Sequence, residues 1–259
     1  MPSATRARRV REDRCVHRFL RILSTALITA GLVVLADVGL TLVWKEPIST
    51  AYGKFQQGKA EDQLADLERS FPAAEDFEAA GAGNLEERVR VLADRFAKEI
   101  AGNTGEGIGR IEIPEIGLDV VMVEGVDTAS LQKGPGHYTR SDNAATRAQG
   151  DGSAFPGQGK TVGVAGHRTT YLAPFRKLNE LSEGDEVLLD MPYATFVYEI
   201  EKTEIVDPSE IRVVKDVGYE RVVMTACHPL YSAAQRIVAF AKLKEISLFG
   251  SGDRIWQDP

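Results

Sequence analysis

Residues 221–243 read RVVMTACHPLYSAAQRIVAFAKL, two apolar runs around a polar turn, and residues 161–167 read TVGVAGH, a third run of the same texture. Val, Ile, Phe and Ala at this density, in segments of about five to eight residues, make β-strand sequence. Similar segments at 110–113, 118–124, 186–191 and 195–206 join those at 161–166, 220–227 and 236–243. Pro114, Gly117, Gly125, Gly134, Pro135, Gly136 and the Gly184-Asp185 pair fall in the breaks between them. Short helical pieces fit 128–132 and 174–181. Closely spaced strands without regular strand–helix alternation predict a β-barrel or sandwich over residues 110–259. No glycine-rich phosphate loop follows any of these strands, and no internal repeat is visible.

Upstream the chain changes character. Residues 1–21 carry seven arginines against Glu12 and Asp13, and Ile22–Trp44 follows with Asp37 as its one charge. As a helix that run spans roughly 34 Å, enough for a hydrocarbon core of about 30 Å. A cleaved signal peptide would have a shorter apolar stretch and a better cleavage site than Ser49-Thr50-Ala51. The reading is therefore a basic cytoplasmic tail over 1–21 and a retained transmembrane anchor over 22–44. The arginines keep the N-terminus inside and send everything after Trp44 outward.

Residues 45–109 hold thirteen acidic and eight basic side chains, with Gly81 and Gly83 in the middle and Gly102, Gly105, Gly107 and Gly109 at the end. They contain one well-formed helix signal over 85–100. Leu85, Val89, Leu92, Phe96 and Ile100 recur every three or four residues, Asn84 is the N-cap and Glu87 follows three later. This segment reads as an acidic, partly helical extracellular stalk. Its apolar stripe leaves open a second reading, in which the helix docks on the domain and gates its site.

Of the 259 residues, 43% are hydrophobic and 27% charged, which excludes a wholly disordered chain, and a net charge of −7 argues against a nucleic-acid partner. The two cysteines, Cys15 and Cys227, rule out a disulfide-rich scaffold. With the membrane between them they cannot pair, so Cys227 is an outward free thiol, reactive or simply a small buried hydrophobe. A reactive thiol needs a nearby base or cation. His17 is on the wrong side of the membrane. His228 follows the cysteine directly and points to the opposite face of a continuing strand. His137, in Gly136-His137-Tyr138, reads as a solvated turn residue. His167 ends the strand 161–166, as Cys227 ends its own. Arg236 opens the next strand, where its donor fork suits an oxyanion or a substrate carbonyl, or else a surface ion pair.

Val164-Ala165-Gly166-His167-Arg168-Thr169-Thr170-Tyr171, then Thr225-Ala226-Cys227-His228-Pro229, then Arg236, resemble the sortases. The Gly-His-Arg-Thr-Thr-Tyr and Cys-His-Pro forms look most like the class E enzymes of Gram-positive actinobacteria. The resemblance covers about 110–245. It departs at Ala226, where the family pattern has a threonine before the cysteine. It implies a closed eight-stranded β-barrel with short helices, and a transpeptidase with His167, Cys227 and Arg236 as its catalytic residues. In such an enzyme Cys227 attacks the threonine carbonyl of an LPXTG- or LAXTG-like C-terminal sorting signal on a secreted protein and forms a thioester. His167 serves as acid and then base, and Arg236 stabilises the oxyanion. A peptidoglycan precursor amine is the implied acceptor, and class E relatives tend to take alanine at the signal's second position. No loop has calcium-ligand spacing, so no metal or cofactor is expected.

Two other readings were open. A pilus-polymerising sortase carries an N-terminal lid with an Asp-Pro-aromatic motif and a second membrane helix; no such motif is seen, and the tail from Ile246 to Pro259 is short and polar. A non-catalytic wall-binding barrel has no need of a Cys/His/Arg set.

Overall fold

The computed structural model describes residues 4–44, 47–81, 83–139, 153–248 and 254–256. They fall into two units, Met1–Pro47 and Ile48–Pro259. Residues 1–3 and 45–46, in the expected tail and stalk, lie outside the described residues.

In the first unit α1 (Ala4–Trp44) is one continuous helix of 41 residues, carrying the arginine-rich run and the apolar run together. Within it His17–Ala36, with a mean hydropathy of 2.1, is long and apolar enough to cross a membrane. Its Leu27, Leu32 and Leu35 are exposed, as the side chains of a lipid-facing helix are.

The second unit contains β1 (Gly107–Ile113), β2 (Leu118–Glu124), β3 (Gly136–His137), β4 (Thr161–Ala165), β5 (Glu186–Met191), β6 (Ala194–Val206), β7 (Arg221–His228), β8 (Gln235–Leu248) and β9 (Arg254–Trp256). They form one sheet in the order β6-β5-β1-β2-β3-β4-β7-β8-β9. β6 also pairs with β8 from Ala194↔Leu248 to Val206↔Arg236, which closes the first eight strands into a barrel. β2 with β3 and β4 with β7 run parallel, and every other pair is antiparallel. The barrel is thus the mixed, closed, eight-stranded form that the resemblance implies, with β9 appended to β8.

Strand alternation sorts the side chains. Val162 and Val164 of β4, Val222, Met224 and Ala226 of β7, and Ile237, Ala239 and Ala241 of β8 all enter the main core. On the opposite face Val223, Val238 and Phe240 pack with Val206, Val213 and Val214, so the β6–β7 connection folds over the outside of β7 and β8. Seven of the expected strands are present within a few residues of the expected limits. The expected helix over 174–181 is reduced to a 3₁₀ turn at Leu178–Glu180, and the one over 128–132 is α5 (Thr128–Leu131). Two-residue β3 was not foreseen. It carries His137, which is 3% exposed rather than solvated, bonds Glu124 Oε2 at 2.8 Å and Ala154 O at 3.0 Å, and stacks on Phe155.

From Ile48 on, the segment expected to be a stalk belongs to the same compact unit as the barrel. It forms α2 (Pro47–Ser70), α3 (Ala74–Ala80) and α4 (Leu85–Glu99). The Asn84 side chain caps α4 by accepting from Glu87 N at 2.9 Å. Leu85, Val89, Leu92, Ala93 and Phe96 then enter the barrel core, and Phe96 meets Phe71, Phe155 and Tyr193 with ring centroids 5.3–5.4 Å apart. The second reading of the apolar stripe, a docked helix, describes α4. α2 seats Ala60 and Leu64 on Val121 and Val123. Its Gln57 amide pairs with β2 like a strand, accepting from Val121 N and donating to Val121 O, both at 2.9 Å.

A docked α4 is measurable. Phe96→Ala should cost about 3–5 kcal/mol of unfolding free energy, as for other buried aromatics. Denaturant unfolding checks this, and a tethering stalk would instead leave the barrel's midpoint in place.

Candidate active site

The site is a consequence of register. Ala165 of β4 lies beside Thr225 of β7, and Thr225 lies opposite Val238 of β8. One alternation further along, Cys227 lies directly opposite Arg236. On the β4 side Gly166 N donates to Thr225 O at 3.0 Å, extending the parallel alignment past the last ladder residue, and His167 comes next. Since Met224 and Ala226 point into the core, Cys227 points out of the barrel wall, half-exposed, on the face that carries Thr225 and Val223. The three residues expected from the sequence are therefore brought to one end of three adjacent strands.

The loop after β4 is fixed by packing. A Cβ on Gly166 would meet the Phe175 ring at 2.5 Å, and Phe175 N donates back to His167 O at 3.1 Å. The Tyr171 ring lies 5.2 Å from the His167 ring, at 45°. His167 Nε2 is buried and has no hydrogen-bond partner among the described residues. Burial disfavours the imidazolium and lowers the His167 pKa below its ordinary value. Burial thus favours the neutral imidazole and screens its Nε2 from solvent.

Arg236 is half-buried, and its Nη1 donates to the carbonyls of Ala233 and Gln235, both at 3.0 Å. It pairs with no carboxylate among the described residues, unlike the surface ion pair that the sequence left open. Arg236 also lines a cavity of about 370 Å³ together with Tyr138, Val206, Val213, Thr225 and Val238, a lining that includes neither Cys227 nor His167. The Tyr138 hydroxyl and Thr225 Oγ1, 2.8 Å apart, form its polar floor. A larger cavity of about 720 Å³, between α4 and residues 153–160, contains none of His167, Cys227 or Arg236.

Arg168 went unnoticed beyond its place in the quoted motif. It is 4% exposed, and its Nη1 donates to Cys227 O at 3.3 Å and to His228 Nδ1 at 2.7 Å. Nη2 reaches Asn179 Oδ1 at 2.7 Å and Nε reaches Arg176 O at 3.4 Å. This buried fork ties the loop after His167 to the end of β7 behind the thiol. A guanidinium cannot give up a proton here, so His228 Nδ1 must accept and His228 is committed to a structural bond. An arginine directly after a strand-end histidine was the available sequence signal.

Residues 111–244 match the family model of the sortase domain. The chain is 30% identical to sortase D of Bacillus subtilis over 226 residues, covering 86% of this chain and 98% of that protein. It is 28% identical to sortase SrtE1 of Streptomyces coelicolor over 152 residues, 54% of this chain and 41% of that one. The crystal structure of sortase E1 from the same organism, with a tripeptide in its active site, superposes with a TM-score of 0.52 at 25% identity, over 57% of this chain and 94% of that one. With the barrel, its closure and these relatives in hand, the chain belongs to the sortase family and is a cysteine transpeptidase.

Proposed function

We propose that this enzyme joins secreted proteins to the cell wall, with Cys227, His167 and Arg236 as its catalytic residues. The arrangement of Cys227 opposite Arg236, with the partnerless His167 Nε2 at the neighbouring strand end, carries the reading. The Cys227 thiol passes its proton to the neutral His167 as its sulfur bonds to the threonine carbonyl carbon of an LPXTG- or LAXTG-like signal. The resulting oxyanion receives the Arg236 donors, whose bonds strengthen as the charge develops and so favour the transition state over the bound peptide. When the oxyanion collapses, the threonine–glycine C–N bond breaks, and the departing amine takes a proton from His167. A peptidoglycan amine then attacks the thioester and returns a proton to His167. The sulfur–carbon bond breaks, the sulfur takes that proton back from His167, and the new amide is complete. Water in place of the amine gives hydrolysis as the side reaction.

The Gly-His-Arg-Thr-Thr-Tyr and Cys-His-Pro forms and the similarity to SrtE1 support a housekeeping, class E-like role. The arginine-rich start of α1 supports a cytoplasmic N-terminus and an outward catalytic unit. A signal protein still held by its own apolar tail then shares one surface with the enzyme, which raises their effective concentration.

Turnover of a fluorescent signal peptide with an added amine tests these roles. Cys227→Ala should abolish ligation, and retained ligation would refute the assignment. Replacing Arg236 by lysine should lower kcat at least tenfold, because a point charge does not reproduce the fork; parent-like rates would make Arg236 structural. His167→Ala should cost about 10²–10⁴-fold, the usual scale of general acid–base catalysis, whereas His228→Ala should cost under about tenfold. Equal losses at the two histidines would show that the acid–base group had been misassigned.

A further inference from the structure

α2 reaches the loop after β4 through Tyr52 and Gly53. The Tyr52 ring packs edge-on against Tyr171, with centroids 6.1 Å apart at 65°. One residue on, Gly53 is buried, and a Cβ there would lie 3.0 Å from Leu172 Cγ, 3.2 Å from Tyr171 C and 3.3 Å from Leu172 N. Glycine inside a helix is ordinarily unfavourable, and here its missing side chain is what lets the helix approach the loop backbone.

The loop beneath is unusual in its own right. Tyr171, Leu172 and Ala173 have φ of 48°, 69° and 47°, three consecutive non-glycine residues in the left-handed region. Left-handed residues normally occur singly and are glycine or asparagine, so such a run persists only where surroundings over-determine it. Ala173 N donates to Thr170 O at 2.8 Å, which closes the turn from within, and α2 closes it from outside. On its other side Tyr171 covers the His167 ring.

We propose that Tyr52 and Gly53 are positioning residues for His167: α2 clamps the left-handed turn at 171–173 and so holds Tyr171 over the imidazole. The clamp has a chemical effect because water is kept from the ring. The lowered pKa of His167 has burial as its cause, and water admitted to the ring moves it back up. By position, the ionisable groups on its own loop are Arg168, Tyr171, Arg176 and Lys177, and those at the neighbouring strand ends are Cys227 and His228 on β7 and Arg236 on β8. Tyr52 of α2 stands behind Tyr171. None of these is changed by substitutions at 52 or 53 except Tyr52 itself. The proposal rests on His167 as the acid–base group only for its effect on turnover.

The test uses the full chain in detergent, labelled with ¹³C-histidine, as parent, Tyr52→Ala and Gly53→Val. Tyr52 is 43% exposed, so its truncation leaves the core intact, and a thermal melt confirms it. The expected result is an upward shift of the His167 titration by half a unit or more in both variants, with kcat on a signal peptide reduced about tenfold and KM within twofold. A His167 titration unchanged in Tyr52→Ala would overturn the proposal, whatever Gly53→Val does. A shifted titration with parent-like kcat would uphold the clamp and count against His167 as the acid–base group.

Discussion

Parallel pairing between β4 and β7 is the interaction on which the site depends. It carries the strand end before His167 to the strand end at Cys227, and a slip by one residue would turn Cys227 into the barrel core. Both ends of the ladder are pinned by buried arginines that bond mainly to backbone carbonyls. At the start, Arg221 Nε donates to Thr161 Oγ1 at 3.2 Å, and its Nη2 reaches Val213 O and Lys215 O at 3.1 and 3.0 Å. At the end, Arg168 grips Cys227 O. Between them Gly163 fixes the register sterically, since a Cβ there would strike Tyr138 at 2.6 Å.

The ionisable groups divide by purpose. Glu220 is buried and its carboxyl pushed up by desolvation, yet it accepts from Gly157 N, Gly159 N and the Tyr198 hydroxyl, so it serves the turn at 157–159. Glu124 is matched to His137. Those carboxylates are used in structure, away from the strand ends at 167, 227 and 236. There the described groups are the Arg236 fork and a histidine whose buried Nε2 has no hydrogen-bond partner among the described residues. A site so composed favours negative charge that appears during reaction, which an acyl transfer develops on oxygen.

Much of the barrel was legible because β5 and β6 alternate with burial on one face, whereas β7 and most of β8 are continuous apolar runs buried on both. The strand-end positions of Cys227 and His167 were legible for the same reason. β3 was hidden because two residues between Pro135 and Tyr138 carry no period. α2 was hidden because its apolar positions are sparse: Ala60 and Leu64 pack, and Gln57 completes the contact by hydrogen bonds rather than by hydrophobicity. The α4 stripe was visible, but its destination was not, because amphipathicity says that a face must be covered without saying by what. Arg168 was missed since its burial depends on acceptors from 176, 179, 227 and 228, all remote from it in sequence or brought near by turns. The contact of α2 with the 171–173 turn has no sequence signature beyond a glycine in a helix.

The central claim is that the sulfur at the end of β7 becomes acylated. Incubating the full chain with a signal peptide in the absence of amine, quenching in acid and mapping the adduct by tandem mass spectrometry tests it most directly. The account predicts a mass addition on Cys227 equal to the signal up to and including its threonine. An adduct on another residue, or an addition that retains the residues after threonine, would contradict it.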